Sequence, residues 1–379
     1  MTRHTRRTLL LAVVLATAAC TSSGGQAGEA SDEPALGAGS EVAAGAPSGE
    51  SEADTGGSGA AAGALLEEIR SRGNLLCGVN EAVPGFGLQN QEGDFEGFDI
   101  DICKAIAAAI LGDAEAVDFR PLSAEQRFTA LQSGEIDVLS RNTTWTASRD
   151  GTEGVDFVTT TFYDGQGIMV KADSEFQTIE DLEGSPICVL SGTTTEQNLA
   201  TRFADIDYEP VPSDDVEVLL QSFEEDRCDA YTSDRSQLAG LRSALPDGAD
   251  SVRILDEVFS KEPLGPAVRE GEADLFDAVN WAVLTLIAAE EFGVTSDNVE
   301  DMTSSEDPAI LAFLGQAGGE EGAVLDPGLG LEPDFAVDVI SAVGNYEEIY
   351  ERNIAPLEIP RELNSLYTDG GLLYAPPYR

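Results

Sequence analysis

The chain has 379 residues, 42% of them hydrophobic, with 70 acidic against 21 basic side chains and a formal net charge of −49. That length accommodates one large domain or two of ordinary size, the apolar content suffices for real cores, and the charge argues against nucleic acid or anionic lipid as partners of the folded body. Only Lys104, Lys171 and Lys261 are lysines, so nearly all the positive charge is arginine.

Arg3, Arg6 and Arg7 precede an apolar run at residues 9–16 and small residues up to Cys20, the pattern of an export signal over residues 1–19. The run is too short for an ordinary membrane-spanning helix. Thr17-Ala18-Ala19-Cys20 resembles a lipobox, in which Cys20 is lipidated and becomes the mature N-terminus; plain cleavage near Ala19 is the alternative. Thr5-Arg6-Arg7 leaves twin-arginine export open beside the general route. Residues 21–63 hold Gly, Ala, Ser and seven acids but no basic or aromatic residue, so they read as a flexible, self-repelling tether between anchor and body. Cleavage would remove His4, the sole histidine, leaving no imidazole for a Ser-His-Asp or Cys-His site or for zinc.

The body starts with a strand-like run at Leu75–Val79 and a turn-rich loop from Asn80 to Phe86. Ile102, Ile106 and Ile110, spaced by four, then predict an amphipathic helix whose acidic start suits the positive end of the helix dipole. Asp99 and Asp101 lack the other ligand positions of a calcium loop, so no metal is expected. Ser123-Ala124-Glu125-Gln126 has the form of a capping box opening a helix that carries Phe128 and Leu131 and stops at Gly134. A strand follows at residues 136–139. Just beyond its carboxyl end, where ligands of open α/β sheets collect, Ser140-Arg141-Asn142-Thr143-Thr144-Trp145-Thr146-Ala147-Ser148-Arg149-Asp150 presents hydroxyls, an amide, an indole and two guanidiniums. That mixture suits a polar ligand. Strands and helices alternate here at a spacing that predicts a mostly parallel sheet.

The stretch from Leu139 to Asp150 resembles that of the general L-amino-acid-binding proteins of ABC importers, within the family 3 extracellular solute-binding proteins. The resemblance covers roughly residues 65–379. It implies that Arg149 holds a ligand's α-carboxylate by a paired, planar contact that guanidinium supplies and ammonium does not. It also implies that Thr144 and Thr143 offer hydroxyls, that Asn142 contacts the ligand through its backbone, and that Asn80 joins the set. Arg141 falls beside the ligand side chain and would favour acidic or amide ligands. Trp145 is read as core packing over direct stacking, although its indole could also keep water out. Ala124 stands where many relatives place a stacking aromatic, which predicts a roomier, less selective pocket.

Residues 162–170 resemble the first crossover between lobes, with glycines that allow hinge dihedrals to change. Ser191-Gly192-Thr193-Thr194-Thr195-Glu196 is a strand-to-helix turn whose free backbone N–H groups suit a carboxylate; Thr194, and less so Thr193, would help Arg149 from the opposite lobe. An ordinary N-cap is the alternative. Cys228-Asp229-Ala230-Tyr231-Thr232-Ser233-Asp234 reads as a strand, in which Asp234 would bind the ligand's ammonium and Asp229 would serve structure. Residues 260–269 resemble the return crossover, and the segments around Val343 and Gly370 match helices that brace the first lobe.

With Cys20 lipidated, Cys77, Cys103, Cys188 and Cys228 remain, an even number with three possible connectivities. Cys77 and Cys188 sit in strand-like runs and each is followed by a cysteine placed in the same lobe, so Cys77 with Cys103 and Cys188 with Cys228 is the expected pairing; free buried thiols are the alternative.

The expected fold is thus α/β, a two-lobed periplasmic-binding-protein-like fold of type II. Each lobe would be a mostly parallel sheet flanked by helices, with two crossover strands and extra C-terminal helices. Residues 1–19 would be the signal, 20–63 the lipidated cysteine and linker, 64–164 with 262–379 lobe 1, and 165–261 lobe 2. The expected function is the extracytoplasmic binding component of an ABC-type amino-acid importer. It would be a non-enzymatic, cofactor-free and metal-free monomer that delivers a free L-amino acid to a membrane permease. A dehydratase-like enzyme on the same fold or an amino-acid sensor is the rival, since fold does not dictate function. The sequence shows no phosphate loop and no dinucleotide fingerprint.

Overall fold

A computed structural model of the protein describes residues 63–316, 326 and 328–378. The export signal, Cys20 and nearly all of the linker lie outside the described residues. Among the described residues no helix is long and apolar enough to cross a membrane.

Two five-stranded sheets organise the body, and they share one plan. In the first, the order is Val117–Pro121, Leu75–Val79, Val138–Leu139, Ala267–Arg269, Val155–Phe157. In the second it is Glu209–Ser213, Pro186–Leu190, Ala230–Asp234, Gln166–Lys171, Val252–Ile254. The first three strands of each run parallel, and the fourth is antiparallel to both its neighbours. Four of the five strands in each sheet thus point the same way, so each sheet is mostly parallel, as expected, with one antiparallel strand. The fourth strand enters from the segment that passes between the sheets, not through a right-handed strand-helix-strand crossover, so nothing obliges it to run with the others.

Both faces of these sheets are covered, which is why their strands read as apolar runs. Along Pro186–Leu190, Ile187 and Val189 pack into one cluster with Ile168, Leu199 and Phe203, while Cys188 and Leu190 pack into another with Met169, Leu219 and Phe223. That is the two-residue alternation of a strand buried on both sides.

The first sheet's core is built on helices Phe98–Leu111 and Ala273–Phe292, and the C-terminal helices Phe335–Val343 and Tyr346–Asn353 belong to the same cluster. Tyr346 donates its hydroxyl to the Thr161 carbonyl at 2.8 Å, and the Phe162 and Tyr350 rings stack with centres 6.3 Å apart. The C-terminal segment thus braces the residues where the chain leaves the first sheet.

Phe162–Asp164 and Glu262–Leu264 form a two-stranded antiparallel ribbon, with Glu262 opposite Asp164. The ribbon is zipped to the ligand-loop candidate: Thr144 bridges to Leu264, Trp145 N–H donates to Pro263 at 2.8 Å, and Gly265 N–H donates to Thr143 at 3.1 Å.

Cys77 is bonded to Cys103, tying strand Leu75–Val79 to helix Phe98–Leu111, and Cys188 to Cys228 beside strand Ala230–Asp234. The loops closed span 26 and 40 residues of separation, so each bond stabilises by about 3–4 kcal/mol in the chain-entropy account. Ser123 and Gln126 exchange the two bonds of a capping box, yet the helix runs only from Arg127 to Ser133 because residues 124–126 form a turn first. Gly134 ends it at φ 77°, in the left-handed region that favours glycine.

Candidate ligand-binding site

The loop after strand Val138–Leu139 is held from beneath by a buried carboxyl. Asp99 accepts the Asn142 N–H at 2.6 Å, and its carbonyl accepts the Ser140 hydroxyl at 3.2 Å. Burial pushes the Asp99 carboxyl up to about 7, against the opposing pull of the Asn142 N–H and the Arg141 charge. Asn142 sits at φ 28°, a positive value that asparagine tolerates better than most residues. Both ends of its side-chain amide are engaged. Oδ1 accepts from Asn80 at 2.6 Å, and Nδ2 donates to Gln237 Oε1 at 3.1 Å. On the main chain its carbonyl is the group left for a ligand, since its N–H goes to Asp99.

Asn80 lies behind Asn142 and does not border the cavity. Thr143 is fully buried with its hydroxyl on the Arg141 carbonyl, so it too is absent from the lining. The extended backbone explains this: successive side chains point to opposite sides, and Thr144 takes the inward direction. Trp145 takes the outward one. It is 39% exposed, stacks on Phe157 with ring centres 6.1 Å apart, and donates its indole N–H to Asp150. The expectation that Trp145 packs in the core or shields the ligand is thereby corrected.

The cavity itself, about 20 Å³ in volume, lies between the two sheets. Arg127, Arg141 and Arg149 line it on one side, with Thr194, Asp234 and Gln237 among the residues opposite. Thr144 and Thr194 hydroxyls meet across it at 3.3 Å, and the Thr194 hydroxyl also donates to Glu262 at 2.8 Å. Ala124 does not widen it. Its methyl is buried with Met169, Cys188 and Leu219 of the second sheet's core, so the roomier pocket expected from that alanine is absent.

Arg149 is 7% exposed. Its helix, Ala147–Thr152, is capped by the Thr146 hydroxyl, which accepts the Arg149 N–H at 3.2 Å, and the guanidinium donates to the Thr144 carbonyl at 2.8 Å. Among the described residues no carboxylate pairs with it. Burial lowers its pKa, with Glu262 and Asp234 opposing. At the end of strand Ala230–Asp234, Asp234 is 5% exposed and its Oδ1 is buried without a hydrogen-bond partner. Burial first, then the Asp164 and Glu262 carboxyls, push Asp234 well above the carboxylate range.

Thr193 is the N-cap of helix Thr194–Arg202, accepting the Glu196 N–H at 3.1 Å, and its hydroxyl also bonds to the Leu190 carbonyl. The capping role expected as the alternative is thus the one its side chain fills, while Thr193, Thr194 and Thr195 all border the cavity. Asp229 is exposed and away from the cavity. Arg141 donates its Nε to the Leu122 carbonyl at 2.7 Å, and burial lowers its pKa to about 10.

Three features in or beside the cavity escaped the sequence reading. Arg127 opens a helix whose neighbours are apolar, and a buried arginine at such a place was the signal available. Gln237 stands one helical turn past Asp234, a spacing that puts both on one face. Glu262, 1% exposed and bonded by Thr194, Asn198 and Ser260, sits on the return crossover.

Residues 75–297 match the family model of bacterial extracellular solute-binding proteins, family 3. The general L-amino acid-binding periplasmic protein AapJ of Rhizobium johnstonii is 47% identical over 328 residues, 85% of this chain and 95% of that one. The glutamate/glutamine/aspartate/asparagine-binding protein BztA of Rhodobacter capsulatus is 46% identical over 327 residues, with 85% and 95% covered. Among solved structures, an ABC transporter / periplasmic binding protein from Brucella ovis with glutathione bound shares 46% identity at a TM-score of 0.80, covering 83% of this chain and 99% of that one.

Proposed function

Because the chain belongs to the bacterial extracellular solute-binding proteins of family 3, we propose that it is the extracytoplasmic binding component of an ABC-type amino-acid importer. It closes on a free L-amino acid between its two sheets and passes it to a membrane permease. The observation that carries this reading is a pair of buried charged groups in one cavity: an arginine, Arg149, with no carboxylate partner among the described residues, and a carboxyl, Asp234, with an unbonded buried oxygen. Left alone, such groups are costly to bury, by about 1–3 kcal/mol for an unmet polar atom and more for a charge. An α-amino acid offsets both costs at once, its carboxylate on Arg149 and its ammonium on Asp234. Thr144, Thr194 and the N–H groups at the start of helix Thr194–Arg202 complete the carboxylate's partners.

The relatives support this reading. Two are named for binding amino acids, and the glutathione held by the Brucella ovis protein also ends in a free α-amino and α-carboxylate pair. The chemistry offered to the clamp is the same. A thermal-shift screen over the proteinogenic L-amino acids tests it. At least one is expected to raise the melting temperature, and a screen in which none does would overturn the reading.

The body works as a monomer tethered to the outer face of the membrane by a lipid on Cys20. Thr17-Ala18-Ala19-Cys20 and the acidic, Gly-rich linker support the tether. Mass spectrometry of the mature N-terminus is expected to find a lipid-modified Cys20; an unmodified terminus near Cys20 would remove the anchor.

A further inference from the structure

We infer that Glu262 is a positioning residue for ligand capture: without touching the ligand, its carboxylate fixes the first turn of helix Thr194–Arg202 to the return crossover, so that the seating of Thr194 depends on the hinge. The inference rests on the amino-acid reading above and deepens it.

Glu262 is 1% exposed and lies outside the cavity lining. Its Oε2 accepts the Thr194 hydroxyl at 2.8 Å, and its Oε1 accepts the Asn198 amide at 2.7 Å and the Ser260 hydroxyl at 2.5 Å. Thr194 and Asn198 are one helical turn apart on the same face, so a single carboxylate grips two successive turns. It does so at the helix's N-terminal end, where the dipole favours negative charge. No basic side chain lies within ion-pair distance of Glu262 among the described residues. A buried carboxylate without a cation is costly, and a neutral side chain of the same shape would avoid that cost. What the charge adds is grip, because bonds to an ionised acceptor are shorter and about twice as strong as neutral ones.

The main chain of Glu262 belongs to the hinge, paired with Asp164 in the two-stranded ribbon. Its strand, Glu262–Leu264, also meets the loop that carries Thr144, through the bridge from Leu264. One short strand therefore places both hydroxyls that meet across the cavity at 3.3 Å, Thr144 through the backbone and Thr194 through the Glu262 carboxylate. The outgoing crossover joins in. Ser260, bonded to Glu262, accepts the Gln166 N–H at 3.1 Å, and the fully buried Gln166 donates its side-chain amide to the Thr195 carbonyl at 2.9 Å. Both crossover segments thus end on the helix turn whose N–H groups are assigned to the ligand carboxylate. A hydroxyl has one proton. With that of Thr194 on Glu262, the residue meets the ligand through its lone pairs and through its main-chain N–H, one of those left free at a helix start. A change of dihedral in either crossover moves that turn relative to Arg149, and Glu262 is the side chain that transmits the movement.

Calorimetric titration with L-alanine, L-glutamine and L-glutamate, read on the one bound tightest, tests the inference. The proteins are the wild type, Glu262→Gln, Glu262→Met, Thr194→Val and the two double variants, each with a melting curve. Both substitutions at 262 remove the charge that opposes the effect of burial on Arg149, but only glutamine can still bond the helix start, so their difference isolates the hydrogen bonds. Glu262→Met is expected to weaken binding at least about tenfold, with glutamine recovering at least about threefold of that loss. In the Thr194→Val background each substitution at 262 is expected to cost at least about threefold less than in the wild type. Wild-type affinity in Glu262→Met, or equal affinity in the Gln and Met variants, overturns the inference. So does a loss at 262 of the same factor with and without the Thr194 hydroxyl, a comparison that the glutamine pair supplies even if the methionine variant fails to fold. Each of these results leaves the amino-acid reading intact. If the wild type binds none of the three, the reading of the site fails and the inference with it.

Discussion

Arg149→Ala and Asp234→Ala are each expected to weaken binding of a neutral L-amino acid such as alanine by at least about tenfold, and by up to about a hundredfold. The range follows from hydrogen bonds to charged groups, about 1.5–3 kcal/mol each, with about 1.4 kcal/mol per factor of ten. The two losses have different structural signatures. Removing Asp234 takes away a carboxyl whose Oδ1 has no partner in the empty cavity and which Asp164 and Glu262 repel. Asp234→Asn is therefore expected to leave the melting temperature of the empty protein unchanged or raised while binding falls. Removing Arg149 also loses its bond to the Thr144 carbonyl, so some loss of stability accompanies the loss of affinity. Titration calorimetry with melting curves on the same samples decides the matter. Wild-type affinity in either alanine variant would remove that residue from the clamp.

Affinity for alanine is expected to rise with pH between about pH 5 and about pH 7, by up to about tenfold per unit where one proton is released. The carboxyls involved are all held up by burial. Asp164, which accepts N–H bonds from Gly165 and Ser236, is pushed up to about 6. Asp234, faced by Asp164, Glu262, Arg149 and Arg127, is raised well above its ordinary 3.8. In the empty protein Asp234 therefore holds its proton more tightly than an ordinary carboxyl does. An ammonium beside it restores the ionised form, so the complex holds fewer protons than the free protein, and raising the pH favours the complex.

The same shift has the opposite sign for the empty fold. A raised carboxyl contributes stability that is fully present below its unfolded value and is lost as pH rises through its folded one, so the empty protein gains relative stability on mild acidification while its affinity drops. Calorimetry in two buffers of different ionisation heat would detect the released proton. Equal affinity at both pH values with no dependence on buffer would rule out this coupling.

Locally written features were legible in the sequence. The polar stretch that ends in Arg149, the strand that ends in Asp234 and the threonines of the turn after strand Pro186–Leu190 all lie within a few residues of the chemistry they support, and short-range spacing specifies them. The cysteine pairing was legible because each bond joins a sheet strand to a segment packed beside it, in the same half of the body. The charge argued against nucleic-acid partners, and residues 1–20 carry the pattern expected of an export signal.

Only the tertiary structure decided which side chains face the ligand. Thr144 points inward while Thr143 and Trp145 do not because the loop is zipped to Leu264 and Pro263 from the distant return crossover, and that pairing sets the direction of alternation. Asn80 became a prop because Asn142 reaches Gln237 on the other side. Ala124 lost its place in the pocket to the second sheet's core. Arg127 was invisible along the chain because its meaning depends on what is absent around it, a partner for a buried charge. That absence arises only when helix, turn and crossover are brought together, since the cost of an unpaired guanidinium is a property of its surroundings and not of its neighbours in sequence.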